Sequence, residues 1–248
     1  MNILKADLFH LIKDKLYWVL LIIVFCLPIV TYAMFSNMNV QSAIFTGIGA
    51  NVMCVVSGLF LCIFFGKEYQ NNTIRNKICY GESKYKVMSM YFIESILITL
   101  SLVIVSLASS LLFGSFMGKF EFTSDFIYKL LCQILILIAY SCLITAVVVS
   151  TKSMKIGLLV VILLSVIVSA VAQLLPSLAA TNGFANFASR ILYMVVSQNL
   201  INSKDGVLQA GKDFQFDHLY LNAILVAISY TIISITLTTL VVRKQNYK

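Results

Sequence analysis

Residues 66–91, GKEYQNNTIRNKICYGESKYKVMSMY, form a polar, cation-rich segment between two strongly apolar runs. Its cations are Lys67, Arg75, Lys77, Lys84 and Lys86, opposed only by Glu68 and Glu82. A short basic loop between two membrane spans belongs on the cytoplasmic side. Within it, Asn72 or Thr73 is placed to cap a short helix over 74–80, and Gly81 to end it. Ile74 and Ile78, four residues apart, share one face, while Arg75 and Lys77 lie away from it. The reading is a short helix that offers an apolar patch and two cations to something in the cytosol. The plainer reading is a solvated loop held near anionic lipid headgroups, each cation contributing about 1 kcal/mol.

Outward from this loop, composition sets the class. Of 248 residues, 60% are hydrophobic and 11% charged. The apolar residues are grouped in runs too long for a soluble core, which predicts a polytopic, all-α membrane protein. With two prolines and no Ser/Gly-rich linker, residues 1–248 read as a single domain. The net charge of +8 comes from cations beside the apolar runs, not interleaved with aromatics on one face, which argues against a nucleic-acid partner. Cys26, Cys54, Cys62, Cys132 and Cys142 lie in apolar runs and Cys79 in the basic loop, so neither a structural disulfide nor a metal site is expected.

In chain order, residues 3–15 read as an amphipathic helix on the inner membrane surface. Leu4, Leu8, Phe9, Leu11 and Ile12 gather on one side, and Asp7, His10, Lys13 and Asp14 on the other. A cleavable signal peptide is disfavoured, because Tyr32 and Met34 fit a cleavage site poorly. Six spans follow, at about 16–35, 44–65, 87–117, 126–150, 156–175 and 219–242. Gly47, Gly49 and Gly58 are close-packing positions in the second. The third exceeds the roughly 20 residues a bilayer needs and carries Ser101, Ser106, Ser109, Ser110 and Ser115. Thirteen Lys and Arg fall on one side of this layout and five on the other, which puts both termini in the cytoplasm. The long connection 177–218 holds an amphipathic stretch, 184–201, expected to rest in the outer interface. Phe184, Phe187, Ala188, Ile191, Met194 and Val195 form its apolar face, and Asn186, Ser189, Arg190 and Ser197 its polar face.

The segment Glu68-Tyr69-Gln70-Asn71-Asn72-Thr73-Ile74-Arg75-Asn76-Lys77 resembles the first cytoplasmic loop of ABC-2 type permeases, the membrane subunits of bacterial ATP-binding-cassette exporters. That loop typically runs Glu, an aromatic, two variable residues, then Gly-Thr-Ile/Leu-Arg and a basic residue. Ser83-Lys84 match a later Ser-Arg, while Asn72 replaces the usual Gly and Met90 a common Lys. The resemblance implies that Thr73, Ile74, Arg75, Asn76, Lys77 and Ile78 form a coupling helix docking on an ATPase. It further implies two ATPase copies, a second permease subunit, identical or homologous, and a place in the bacterial cell membrane. ATP and Mg would be bound by the ATPase, with no cofactor in this chain. The implied cargo is an amphipathic peptide of antimicrobial type, or a drug.

Enzyme chemistry is not legible. His10 and His218 are the only histidines, so no HExxH motif and no intramembrane Ser–His pair exists. Gly114–Lys119 has its glycines one residue too close for a phosphate loop, and Phe120 replaces Ser/Thr; Gly114 and Gly118 read as helix packing. The chain is therefore expected not to hydrolyse ATP itself. Glu94 is the one acid inside a span and a possible functional acid, with Lys84 or Lys86 in reach as structural partners. The alternatives to a permease are a membrane-embedded accessory or sensor protein, and a secondary carrier. The carrier is weakened by the lack of an acidic relay and of an inverted repeat.

Overall fold

A computed structural model of the chain describes residues 2–34, 44–45, 50–71, 73–79, 81–117, 125–179, 187–188, 190–192, 195–197, 208–209, 215–216 and 218–244. The fold is helical: α1 (Asn2–Lys13), α2 (Lys15–Met34), α3 (Ala50–Gln70), α4 (Thr73–Cys79), α5 (Lys84–Met117), α6 (Phe126–Thr151), α7 (Met154–Ala179) and α8 (Leu219–Lys244). An antiparallel pair, β1 (Leu208–Gln209) and β2 (Gln215–Phe216), precedes α8, with Leu208 opposite Phe216. This pair, in the long connection, was not anticipated from sequence.

Among the described residues, four helical stretches are long and apolar enough to cross a membrane: Val52–Gln70, Lys84–Phe116, Phe126–Thr151 and Leu219–Lys244. Helices α2 and α7 carry further apolar stretches, over Lys15–Val30 and Met154–Ile167. Their outward faces carry bare large side chains, among them Ile22, Ile104, Val166, Leu225 and Ile232, each about half exposed or more. A protein in water does not leave apolar surface on this scale uncovered. The chain is a multi-pass membrane protein.

The central helix is α6, which packs against α3, α5, α7 and α8, while α2 packs along α5. Over 136–149 it is buried or half-buried all round, which fits a sequence in which small and apolar residues recur on every side and the hydroxyls need no outside partner. Ser141 Oγ donates to the Ile138 carbonyl and Thr145 Oγ1 to the Ser141 carbonyl, both at 2.8 Å. Three serines of α5 behave likewise: Ser109 and Ser110 donate to the Ser106 carbonyl, and Ser101 donates to the Ile98 carbonyl and also accepts the Tyr17 hydroxyl at 2.8 Å, whereas the buried Ser106 Oγ has no partner. Each such bond lets a polar side chain sit among helices without a desolvation cost.

Several boundaries move. Helix α3 runs five residues past the expected end at 65, because only Gly66 could interrupt it and Gly66 is held by packing. A Cβ there would lie 2.5 Å from the Met154 Cβ of α7. Gly58 is a second close approach, its missing Cβ 2.8 Å from the Tyr140 hydroxyl, whereas Gly47, Gly49 and Gly118 lie outside the described residues. Helix α7 continues through 176 to Ala179 rather than stopping at the proline. Proline removes only its own N–H bond and does not bar the turn that follows it.

The amphipathic stretch 184–201 is described at 187–188, 190–192 and 195–197. Of its expected apolar face Phe187 and Ile191 are exposed, but Val195 is buried with Ala188 and Val171 of α7 packed against it, and Ser197 is not on an outer polar face. It is buried against α6, where its Oγ donates to Gln133 Oε1 at 2.7 Å and its carbonyl accepts Gln133 Nε2 at 2.8 Å. Met194, Asn186 and Ser189 fall outside the described residues.

Candidate functional site

The residues singled out in the basic loop meet a second group, from the N-terminal helix, at one end of the bundle. Asp14 makes the junction between α1 and α2. Its amide bonds the His10 and Leu11 carbonyls, and its Oδ1 accepts the Leu16 amide at 3.0 Å as the cap of α2. The Trp18 indole N–H donates to the Ile12 carbonyl at 2.8 Å and holds the bend. This returns α1 across the ends of α3, α4 and α5.

Helix α4 begins at Thr73, so Thr73 is not its cap; the other candidate, Asn72, lies outside the described residues. Its far end closes as expected. Gly81 takes φ +96°, its amide bonds the Ile78 carbonyl at 3.1 Å, and the Glu82 amide reaches back to Lys77 at 3.4 Å. These two bonds are those of a Schellman motif, which wants glycine at the left-handed position.

The side chains of α4 face otherwise than expected. Ile74 is 2% exposed and belongs to the core of this chain, and Ile78 packs against that core. The apolar patch therefore points inward, because the ends of α3 and α5, against which α4 packs, supply the groove it needs. Burying Ile74 contributes about 2 kcal/mol to holding α4 in place. Arg75, Asn76 and Cys79 form the exposed face, and Thr73 is half-buried at the rim of a cleft.

Lys77, expected to project outward, is turned in. Its Nζ lies 2.8 Å from Asp7 Oδ2 on α1 and 3.3 Å from Glu68 Oε2 on α3, and 5.2 Å from the Tyr91 ring centre on α5. The Tyr91 hydroxyl donates to Glu68 Oε2. Burial works against the Lys77 ammonium, but Glu68 and Asp7 outweigh it and raise its pKa above the ordinary lysine range. One lysine thus ties together three helices and, through Tyr91, a fourth.

Glu94 lies one turn beyond Tyr91 on α5, 2% exposed. The suggested partners are engaged elsewhere: Lys84 donates to the Val242 carbonyl of α8 at 3.2 Å, and Lys86 pairs with Glu82 at 2.7 Å. Both Glu94 oxygens are without a hydrogen-bond partner, and the Glu94 carboxyl faces that of Asp7. A cleft of about 590 Å³ between α1, the end of α3 and α4 reaches this cluster, lined by Asp7, Glu68, Lys77, Thr73 and His10. Lys67 and Asp14, 3.8 Å apart at its mouth, are an exposed pair of little energetic weight.

Sequence reasoning found Lys77 and Glu94 but missed Asp7 and Glu68. A signal for Asp7 existed. Asp7 and Leu11 are spaced i, i+4 and so are neighbours on the helix surface, which puts this acid at the edge of the apolar side and in line with a residue that is buried. All six cysteines are free, and no group of three His, Cys, Asp or Glu among the described residues is placed to hold a metal ion. Compared with protein-family models and with curated proteins, the chain matches none.

Proposed function

We propose that the chain is the transmembrane permease subunit of an ATP-driven exporter of ABC-2 type, with α4 as its contact to a separate ATPase. The observation that carries this reading is the construction of α4. It is a short helix set between the ends of two long apolar helices and locked to them and to α1 by Ile74 and Lys77. A load applied to its outer face would move α3 and α5 as one. In this reading α2, α3, α5, α6, α7 and α8 are the six spans, both termini are cytoplasmic, and the chain works beside a second permease and two ATPase copies in a bacterial cell membrane. The cargo class is an amphipathic peptide or a drug, which suits hydroxyl-rich, charge-poor helices.

The contact surface is then Arg75, Asn76 and Cys79, and Ile74 and Ile78 serve to anchor the helix. Arg75→Glu is expected to weaken co-purification of the ATPase and to abolish substrate-stimulated ATP turnover in liposomes. Lys86→Ala, which removes an exposed pair with Glu82, is expected to leave both unchanged. Normal assembly and turnover in Arg75→Glu would overturn the coupling role. A secondary carrier is the second reading. It is favoured by one observation, the gathering of Asp7, Glu68 and Glu94 that the sequence does not reveal, and it predicts transport without any ATPase.

A further inference from the structure

At the base of the bundle, two carboxyls pair with one ammonium and a third is left over. Lys77 neutralises one negative charge and touches Asp7 and Glu68; it leaves Glu94 unpaired. Glu94 is 2% exposed and both its oxygens lack a partner, while the Asp7 carboxyl with which it interacts is another acid, itself 4% exposed. Two ionised carboxylates offer each other only acceptors, and like charges facing each other in a buried site do not both persist. The pair becomes a hydrogen bond when one member carries a proton.

We propose that Asp7 and Glu94 bind one proton between them, and that this shared proton latches α1 to α5. The proton replaces the missing donor at Glu94. It leaves a single negative charge on the pair, and Lys77 bridges the rest of the cluster. A metal ion fits less well, since no three ligating side chains among the described residues converge there. Exchange with solvent runs through the cleft, which Asp7 lines and which separates α1 from α3 and α4. When the proton leaves, two facing carboxylates repel across the α1–α5 contact, and α1 loosens about its junction at Asp14.

The other charged groups around the pair are engaged elsewhere or stand apart from it. Lys77 on α4 stays charged, because its neighbours raise its pKa above the ordinary lysine range. Glu68 on α3 is held by both Lys77 and the Tyr91 hydroxyl of α5. On α1, His10 is exposed at the cleft, facing solvent; α6 presents the Cys142 thiol beside Ser95, and α2 presents Tyr17 to Ser101, two turns along α5. The inference does not depend on whether an ATPase or a gradient drives the protein.

The test uses the full chain in lipid nanodiscs in two measurements. Infrared difference spectra across a pH titration are expected to show a carboxylic-acid C=O stretch at neutral pH that fades as pH rises. Glu94→Gln and Asp7→Asn are each expected to abolish the band, and Glu68→Gln to retain it. In a background without native cysteines, the alkylation rate of Leu11→Cys, on the buried side of α1, is compared with that of Ile12→Cys on its exposed side. The buried thiol titrates higher than the exposed one, so the ratio is read against the same pair in Glu94→Gln, whose amide mimics the protonated acid at every pH. It is expected to rise more steeply with pH in the parent chain than in Glu94→Gln. A parent chain with no such band, a band indifferent to both substitutions, or a ratio that rises no more steeply than in Glu94→Gln would overturn the proposal. So would a band seen only after alkali cations are removed, which would assign the site to a cation instead.

Discussion

Lys77→Met tests whether the buried ion cluster holds the base of the bundle together. Methionine keeps most of the length and apolar volume of the lysine stem, so the packing change is small. The electrostatic change is not. Asp7 and Glu68 are 4% and 13% exposed at their side chains and lose the cation 2.8 and 3.3 Å away. If a carboxyl of ordinary acidity takes up a proton at neutral pH to escape burial as a bare charge, the cost is about 4 kcal/mol, three pH units at roughly 1.4 each. Breaking a buried pair by removing one partner costs about 3–5 kcal/mol. The residual exposure of Glu68 places the expected loss toward the lower end, about 3 kcal/mol. Reversible unfolding in mixed micelles, titrated with a denaturing detergent, measures it. The triple variant Lys77→Met, Asp7→Asn, Glu68→Gln removes the orphaned charges as well and is expected to recover most of the loss. A single variant within about 1 kcal/mol of the parent would refute the argument. A triple variant no more stable than the single one would show that the lysine acts through packing instead of charge.

Two further expectations concern packing and orientation. Gly66→Leu is expected to force α3 and α7 apart, since even a Cβ at that position would lie 2.5 Å from the Met154 Cβ; a cost of about 3 kcal/mol or loss of folded protein should follow, read in the same unfolding assay. In intact cells, with native cysteines replaced, single cysteines at Asn76 and Lys152 are expected to react only with membrane-permeant reagents and one at Lys119 with impermeant ones; external labelling at Asn76 would invert the orientation.

The sequence by itself determined the class of molecule and the places where its long helices run. Those properties are local: an apolar run of twenty or more residues has few options other than a buried or membrane helix, whatever its neighbours do. The turn at Gly81 was legible for the same reason, since a left-handed residue after a short helix is a matter of backbone sterics alone. What the sequence could not decide was where each polar or apolar face is satisfied. The Ile74–Ile78 face needs a groove, and nothing local says whether a partner or this same chain supplies it. Here α3 and α5 do, because α3 runs on to Gln70 and brings its end beside that of α5. Likewise Asp7 and Lys77 are 70 residues apart and their charges are ordinary in isolation. Only the packing of four helix ends brings Asp7, Glu68, Lys77 and Glu94 together, and burial there turns commonplace surface residues into a site whose charges depend on one another.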